Sequence, residues 1–416
     1  MNVNCDLHIH SKYSMATSGK MDLPTIAREA AKKGVDLVGT GDCLHPAWLD
    51  SIKKLPESNG IFLLNNTSFV LTTEIEDSRR VHHLLIIPSI SKAEELHERF
   101  MCHSRDINTN GRPTVHMNGA EIAEYARDAD ALIGPCHAFT PWTAMYAYHD
   151  SLSDCYSDLS EYISFVELGL SADTSYADRI SELHRLTFLT NSDAHSPWPN
   201  KLAREFNRFE MPEITFDNLK RSILRKNGCK AILNVGMFPE EGKYNESACI
   251  RCFKHYTLQE CLTKKWRCSC GGKIKKGVRD RVAELADLPA PEHPGYRPPY
   301  LHLIPLAEII AMALGHSSPY TKAVQAAWNT LIKESGSEIA TLVDADISDF
   351  DADPRITDAI LAFRDGEVII HPGGGGRYGT IELPHGDAIK SDDNVDPVEK
   401  GSAQRTLFDF TREDPM

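Results

Sequence analysis

Short apolar runs alternate with helix-like stretches over residues 1–235, and this alternation most constrains the fold of the chain. The runs lie in the segments VNCDLHI, VDLVGTGD, FVLTTEI, HHLLIIP, ALIGPCH, ISFVELG and LTFLTNSD. Strands that alternate with helices favour a mainly parallel sheet, and about seven of them are typical of a closed or nearly closed barrel. We therefore predict an α/β barrel over residues 1–235.

The sequence pattern after residue 235 predicts four smaller units. Residues 245–281 form a cysteine-rich insert, and residues 282–385 combine a Pro-rich approach with helical patterns that predict a small C-terminal helical domain. Residues 386–403 are polar and acidic without a hydrophobic period, which predicts a flexible linker to a short segment, 404–411. We find no basic leader and no apolar run of ~18 residues, so we expect a cytoplasmic protein that does not bind membranes.

Residue types that bind metals recur where the predicted strands of the barrel end. In a barrel of parallel strands these ends share one rim, so groups that are distant in sequence converge there. Imidazole with carboxylate is a ligand set for divalent metals, and two adjacent ions can hold the attacking and leaving oxygens of a phosphoester displacement. The pattern predicts a metal-dependent phosphoesterase. The candidate ligands at strand ends are His8, His10, Asp42, Glu74, His137, Asp193 and His195.

The motifs DLHIHS, CHAF and NSDAH, with Glu74 and His103, resemble the polymerase-and-histidinol-phosphatase (PHP) superfamily over about half of the chain. The resemblance implies a distorted (β/α)7 barrel that binds two or three divalent ions, which we expect to be zinc, manganese or magnesium. It also implies two ligand sets that share Glu74. The first set is His8, His10, Glu74 and Asp193, and the second is Glu74, His103 and His137.

The chain departs from the superfamily pattern at the third metal site. Many relatives read Thr-Asp-His where this chain has Gly41-Asp42-Cys43, and the usual third-site histidine is missing from SKYSMATSG. His195 and Asp42 therefore either hold a third ion or orient other ligands. We expect Asp193, Glu74 and His10 to be the catalytic residues. Four histidines match no ligand position and are interpreted as structural: His82, His83, His116 and His184.

The insert carries two close cysteine pairs, Cys249-x-x-Cys252 and Cys268-x-Cys270, separated by fifteen residues. Such pairs predict a tetrahedral structural zinc site, which leaves no open position for catalysis. The second pair is one residue shorter than the usual knuckle, so Cys261 or His255 could replace one ligand. The alternative is four buried cysteines without a metal.

The insert is also basic, although the whole chain has a net charge of −14. Between positions 251 and 281 ten Lys or Arg residues stand against two acids, so the insert predicts a surface that binds DNA phosphates. The alternative is an ordinary solvated face. The DNA-binding candidates are Lys264, Lys265, Arg267, Lys273, Lys275, Lys276 and Arg279.

Residues 404–411 resemble the peptide that binds the replication sliding clamp, proliferating cell nuclear antigen (PCNA). Gln404, Leu407 and Phe410 recur at a spacing of three, as a single helical turn that plugs a pocket requires. Thr411 stands where the second aromatic residue is usual. The resemblance implies a sliding clamp as a partner and a replication system of archaeal or eukaryotic type.

The barrel motifs, the CxxC...CxC insert, RPPYLHLIPLAEII and HPGGGGRYG together resemble the endonuclease Q family over nearly all of residues 1–385. The resemblance implies a nuclease that acts on double- or single-stranded DNA. It would cut 5′ to deaminated bases (hypoxanthine, uracil, xanthine) and to abasic sites. Reading a base in a duplex requires its extrusion into a pocket, for which we select four candidates. They are Tyr13, Trp142, Gly169 and Ser171.

Two other functions remain open at this point. A small-molecule phosphatase of the histidinol phosphate type uses the same barrel but needs no insert, basic surface or clamp peptide. A non-catalytic scaffold that binds DNA or the clamp is favoured by the departures at Cys43 and at the third metal site.

Overall fold

A computed structural model of the protein describes residues 1–348 and 350–384. The predicted linker (386–403) and the clamp-binding segment (404–411) therefore lie outside the described residues. No helix within the described ranges has both the length and the apolar character needed to cross a bilayer.

The barrel region contains most of the strands, and the insert and the C-terminal region contribute short hairpins. The strands are β1 (Asn2–Asp6), β2 (Leu37–Gly39), β3 (Glu57–Ser58), β4 (Ile61–Leu64), β5 (Thr67–Glu76), β6 (His82–Ile87), β7 (Leu132–Pro135), β8 (Phe165–Glu167), β9 (Thr187–Leu189), β10 (Phe206–Glu210), β11 (Lys230–Gly236), β12 (Ala248–Cys249), β13 (Ile274–Lys275), β14 (Tyr300–His302), β15 (Ile369–His371) and β16 (Thr380–Glu382).

Helices cover the barrel and build most of the C-terminal region. They are α1 (Leu23–Lys33), α2 (Pro46–Ile52), α3 (Ile90–Met101), α4 (Gly119–Asp128), α5 (Met145–Tyr148), α6 (Leu152–Tyr156), α7 (Thr174–Ala177), α8 (Phe216–Leu224), α9 (Leu258–Thr263), α10 (Val278–Leu285), α11 (Leu306–Leu314), α12 (Lys322–Ser335) and α13 (Pro354–Asp365). Short 3-10 turns cover Ser157–Tyr162, Ser181–Arg185 and Pro239–Glu241, and a π-helical turn covers Ala340–Asp344.

The central sheet is mixed, and the expectation of a mainly parallel sheet is wrong. Its strands run in the order β14-β11-β10-β1-β2-β5-β4-β3, and β6 joins β5 to β7. The β1–β2, β2–β5 and β11–β14 pairs are parallel, whereas β5–β6, β6–β7, β1–β10 and β10–β11 are antiparallel. The reason is the short connection between β5 and β6, which leaves no room for a crossover helix.

A separate parallel pair, β8–β9, lies between strands β7 and β11 of the central sheet. Beside β7, the Ser164 backbone N–H donates to Ile133 O (3.2 Å). On the other side, Asn234 on β11 donates from Nδ2 to Phe188 O on β9 (3.1 Å). These contacts connect β7 to β11 through the β8–β9 pair. The carboxyl ends of β1, β2, β5, β7, β8 and β9 therefore face one region.

Helix α1 shows how local sequence signals set an element boundary. Asp22 caps the first turn by accepting the Thr25 backbone N–H (2.9 Å), and Gly34 ends the helix with a φ of 88°. The buried face contains Ile26, Ala27 and Ala30, which pack on the sheet. Removing such side chains from water stabilises the fold by roughly 25 cal/mol per Å².

The C-terminal helices share one continuous apolar cluster with the barrel. Ile309 on α11, Trp328 on α12 and Ile360 on α13 belong to the same cluster as Ile26 and Trp48 of the barrel. The insert instead has a small apolar cluster of its own around Tyr256 and Ile274. The insert therefore relies on its cysteines more than on apolar burial.

Candidate metal centre and nucleic-acid interface

Glu74, near the end of β5, is the hub of the cluster at the barrel rim. Its Oε1 lies 2.6 Å from His82 Nδ1 and 3.1 Å from His137 Nε2, and its Oε2 lies 3.2 Å from His10 Nε2. On the other side of His10, the same Nε2 lies 3.1 Å from Asp193 Oδ1. The rim thus brings together residues from five separate segments of the chain.

Three groups at this rim have ligand atoms close enough to share a cation. They are His8 with His10 and Asp193, Glu74 with His82 and His137, and His8 with Glu74 and Cys136. Several polar atoms of these groups are buried and, although close to one another, are not aligned for a hydrogen bond, namely Nε2 of His8 and His10 and Oδ1 of Asp193. Unpaired buried polar atoms are costly, so their convergence fits a bound cation.

Three residues at the rim have backbone conformations that are rare for residues other than glycine. Asp42, His137 and Asp193 have positive φ values of 48°, 28° and 48°. Few non-glycine residues adopt this conformation, and it concentrates at functional sites where surrounding structure holds it. Asp6 provides one such hold, because it accepts the Ser192 backbone N–H (3.1 Å) next to Asp193.

The electrostatics of the cluster keep its carboxylates ionised. Burial alone would raise the pKa of Glu74, but His82 and Arg112 hold it well below the usual value. Burial opposes charge on His8 as well, yet Glu167, Asp193 and Glu74 raise the pKa of its imidazole to about 9. The carboxylates that raise this pKa create a negative potential at the site, which favours a positively charged ligand.

Two carboxylates lie behind the histidines and orient them. Glu167, at the end of β8, accepts from His8 Nδ1 (2.9 Å), from the His137 backbone N–H (3.0 Å) and from Asn191 Nδ2 (2.8 Å). Asp42 accepts from His10 Nδ1 (3.0 Å) and from the Ser11 backbone N–H (2.6 Å). Both contacts turn the Nε2 atoms of the histidines toward the shared centre.

The position of Asp42 bears on the expected third metal site. Both of its oxygens are engaged by His10 and by Ser11, which fits the orienting role, and among the described residues Asp42 is not in any of the three groups. His195 lies beside His10 with ring centroids 4.4 Å apart, and its buried Nε2 lacks a partner. Burial and the neighbouring His10 lower the pKa of His195 to about 4.

His103 does not join these groups within the described ranges, and His82 takes the place expected for it. The Nε2 of His103 lies 3.3 Å from the Tyr125 hydroxyl, two residues after α3 ends. His82 instead opens β6, directly opposite Glu76 in the antiparallel pairing with β5, so it shares a face with Glu74. His82, which the sequence led us to interpret as structural, thus lies where it could serve as a ligand. The structural interpretation of His83 agrees with its contacts to Tyr156 and Asp77.

Arg112 and Glu167 are further residues that the sequence did not single out. Arg112 Nη1 donates to Glu74 Oε2 (3.3 Å), and the guanidinium is largely buried. A signal for Glu167 exists, because it ends a strand run, ISFVELG, as the other rim residues do. Arg112 lies in a loop without periodicity, so no sequence pattern marks it.

The four lesion-pocket candidates surround the rim on different sides. Tyr13 stacks on His45 (ring centroids 4.2 Å apart), next to the loop that holds Asp42. Gly169, with a φ of 68°, packs directly on His137, where a Cβ would lie 2.5 Å from that residue's own Cβ. Ser171 follows in the same half-exposed turn. Trp142 instead contacts Tyr244, just before the insert (4.8 Å between centroids), and Lys275 within it.

The insert gathers the four expected cysteines. The Sγ atoms of Cys249 and Cys270, and those of Cys252 and Cys268, lie 3.5 Å apart, and none of the four forms a disulfide. A tetrahedral zinc ion with Zn–S bonds of about 2.3 Å separates its sulfurs by roughly 3.8 Å. The pKa of Cys268 is lowered to about 6 by the Tyr256 hydroxyl, which favours the thiolate. These four therefore fit a structural zinc.

Cys261 and His255, the alternative zinc ligands, contact other residues. Cys261 is buried in the small apolar cluster with Tyr256, and His255 Nδ1 lies 2.7 Å from Glu246 Oε2. Neither belongs to the cysteine group.

The basic candidates divide into two sets. Lys264, Lys265, Arg267 and Lys273 are exposed around the cysteine quartet. By contrast, Lys276 pairs with Glu284 (2.6 Å) and Arg279 pairs with Glu246, while Lys275 lies over the Trp142 ring. The surface open to phosphates is therefore narrower than the sequence count indicates.

The glycine-rich loop between β15 and β16 packs on the insert. A Cβ on Gly375, which has a φ of 65°, would lie 2.7 Å from Cys249 O, and Gly374 forms a bridge with Glu246. Close backbone packing on β12 thus accounts for these glycines.

Comparison with known proteins identifies several relatives. The chain is similar to the lesion-specific endonuclease PfuEndoQ of Pyrococcus furiosus, with 49% identity and a TM-score of 0.90 over 92% of this chain and 96% of that one. It is similar to a crystal structure of endonuclease Q with a 27-mer duplex that has an abasic lesion at the active site, with 48% identity and a TM-score of 0.85 over 92% and 97%.

Two curated sequences and one family model also match. MJ0043 of Methanocaldococcus jannaschii is 46% identical over 254 residues, 59% of this chain, and the chain spans only 31% of that relative's length. YqxK of Bacillus subtilis is 29% identical over 406 residues, 91% of this chain and 99% of that protein. The model of the MJ0043 C-terminal domain matches residues 305–367, which include α11, α12 and α13.

Proposed function

This chain belongs to the endonuclease Q family, and from that membership we propose that it is a metal-dependent DNA endonuclease that nicks damaged strands. The observation that carries the proposal is the pair of histidine–carboxylate groups joined at Glu74. We further propose that it cuts the phosphodiester 5′ to hypoxanthine, uracil, xanthine and abasic sites.

The residues at the rim fit divalent cations. The unpaired buried atoms of His8, His10 and Asp193 would hold one ion, and Glu74, His82 and His137 would hold a second. When bound, two such ions supply Lewis acidity to the phosphodiester and lower the pKa of water to about 7. Glu167 and Asp42 keep the imidazoles oriented, and the low pKa of Glu74 keeps its carboxylate charged at neutral pH.

The remaining candidates support DNA binding around this centre. The exposed set Lys264, Lys265, Arg267 and Lys273 would contact phosphates, on an insert held rigid by zinc. Tyr13, Gly169 and Ser171 would line the pocket for the extruded nucleotide, because each lies next to a rim residue.

We also propose that Gln404, Leu407 and Phe410 bind a replication sliding clamp. This rests on the sequence alone, because the segment lies outside the described residues. A titration of the peptide 402–413 with a purified clamp ring tests it, and no binding would end the proposal.

The central test is a cleavage assay with the purified protein and each divalent metal in turn. End-labelled duplexes carry inosine, uracil, xanthine, an abasic site or no lesion, and the cut position is mapped on a gel. We expect a single nick 5′ to each lesion and none in the undamaged duplex. Metal-independent cleavage, or turnover of a free phosphomonoester without any response to DNA, would contradict the proposal.

Asp193→Ala provides the matching prediction for the site. The variant should keep the fold and DNA binding but lose nicking by at least a hundredfold, because Asp193 Oδ1 is shared by His8 and His10. The control is Asp130→Ala, an exposed carboxylate that precedes β7 at the opposite end of the barrel. Retained cleavage by Asp193→Ala would refute the assigned centre.

A further inference from the structure

We propose that Trp142, Tyr244 and Tyr378 form an aromatic platform that stacks an unpaired nucleobase of the DNA beside the cleavage site. The proposal rests on the proposed endonuclease function, which it extends by a second nucleotide-binding site. It separates Trp142 from the lesion pocket, with which the sequence had grouped it.

The position of Trp142 ties the platform to the metal centre. Its loop joins two candidate ligands, because it follows His137 and because Thr143 O accepts the His82 backbone N–H (3.1 Å). Trp142 has a φ of 75°, an outlier for a bulky residue, and the Tyr148 hydroxyl donates to its carbonyl oxygen (2.6 Å). The surrounding contacts therefore hold the Trp142 backbone in a strained conformation, in a loop anchored to the rim through His82.

Four segments of the chain supply the platform. Tyr244 from the segment after β11 meets the Trp142 ring edge to face, at 83°. Lys275 on β13 places its Nζ 4.3 Å from the Trp142 ring centroid. Lys243 Nζ lies 5.7 Å from the Tyr244 ring and 5.5 Å from the ring of Tyr378, which comes from the glycine-rich loop.

The combination of rings and cations identifies the ligand chemistry. Proteins that bind single-stranded nucleic acid place aromatic faces against bases and positive side chains against the backbone. Here each ring has an ammonium group beside it, and the rings are not sealed: Tyr378 is 41% exposed, and Trp142 and Tyr244 are half-buried.

A base inside an intact duplex cannot reach such a surface, because both of its faces are already stacked. Extrusion of a lesion creates bases that have lost a neighbour or a partner. The platform would hold one of these, either the base opposite the lesion or the base next to it on the nicked strand. Both have the same stacking chemistry, and the position of a fluorescent base distinguishes them.

The test compares Trp142→Ala with Trp142→Phe in single-turnover cleavage at saturating metal. On a fully paired abasic duplex, Trp142→Ala should be slower by about tenfold or more, and Trp142→Phe should stay within about threefold of the unaltered protein. When the lesion lies in a three-base mismatched bubble, the bases are already unstacked, so the deficit of Trp142→Ala should shrink to about threefold. Tyr378→Ala, whose side chain is exposed, should follow the same pattern without affecting the fold.

One control variant and one binding measurement complete the test. Tyr296→Ala removes another exposed tyrosine that stacks on an arginine, Arg225, near the opposite end of the barrel, and should cleave at the unaltered rate. Binding of DNA with 2-aminopurine opposite the lesion or beside it should quench fluorescence at one position, and Trp142→Ala should abolish that quenching.

Equal rates for Trp142→Ala and the unaltered protein on paired DNA would overturn the platform, as would an equal deficit on paired and bubble DNA. Absence of quenching at both positions would do the same. If the unaltered protein cleaves no lesion, the proposed endonuclease function fails instead. The quenching measurement still tests the platform in that case, because it requires binding alone.

Discussion

At the scale of single residues, Glu167 shows how a group outside the candidate ligand sets can orient their members. Its two oxygens take three hydrogen bonds, from the His8 ring, from the His137 backbone and from Asn191. It is fully buried, so no water can replace any of these partners. The carboxylate therefore fixes the ring of one candidate ligand and the backbone of another at the same time.

We expect Glu167→Gln to weaken divalent-metal binding at the barrel by about 10- to 100-fold. Glutamine has one acceptor oxygen for three donors, so its amide N–H groups would face the donor of either His137 or Asn191. A competition titration with a chromophoric chelator measures the affinity. Glu182→Gln is the control, because Glu182 likewise accepts a backbone N–H, from Leu152 (3.0 Å), in a different environment. Unchanged affinity in Glu167→Gln would show that orientation by this residue is unimportant.

Prediction from sequence at this scale depended on whether a residue sits at a strand end. His8, His10, Glu74, His137 and Asp193 could be selected because a run of apolar residues precedes each of them, and the rim brings them together. His82 was missed because it begins a strand rather than ending one. Only the antiparallel pairing of β5 with β6, which the sequence does not reveal, places it on the face of Glu74.

At the scale of elements, the insert has few buried apolar side chains. Its folded structure should therefore depend on the cysteine quartet. We expect Cys252→Ser to lose one equivalent of zinc and to weaken DNA binding, because three remaining thiolates leave the site open and the surrounding lysines unrestrained. Metal analysis and a DNA titration measure the two effects. The barrel should retain its metals and its thermal transition.

Cys261→Ser is the matched variant for the insert. Cys261 is buried in the same unit but outside the quartet, so this change should leave the zinc content intact. Loss of zinc from Cys261→Ser, or full zinc content in Cys252→Ser, would contradict the assigned quartet.

The boundaries of several elements could be predicted because local chemistry sets them. Asp22 and Gly34 flank α1, and the capping box of Asn118 with Glu121 begins α4. Strand direction could not be predicted in this way, because a short apolar run has the same pattern in parallel and antiparallel sheets. The mixed sheet follows from connections and from partners distant in sequence.

At the scale of the whole molecule, the C-terminal region is joined to the barrel by a buried ion pair. Lys33 at the end of α1 donates to Glu338 Oε1 (2.6 Å), and both side chains are almost fully buried. Glu338 also accepts from the Leu306 backbone (3.1 Å) and from Trp328 Nε1 (2.8 Å). Lys33 donates as well to Pro199 O (2.5 Å), in the loop that follows His195. One lysine thus connects the C-terminal helices to the loop that leaves the metal centre.

We expect Lys33→Met to lower the free energy of unfolding by about 3–5 kcal/mol, because the Glu338 carboxylate would stay buried without its cation. The double variant Lys33→Met/Glu338→Gln should recover part of this loss, since no charge stays buried, although the single amide oxygen can keep only one of the contacts with Leu306 and Trp328, which bind different carboxylate oxygens. Urea denaturation measures both, with Lys32→Met as the control, because Lys32 is exposed on the same helix and its partner Glu29 keeps a second cation, Arg28. A loss below about 1 kcal/mol in Lys33→Met would mean that apolar packing alone joins the two regions. A double variant as unstable as Lys33→Met would mean that the lysine acts through Pro199 and the loop beside the centre.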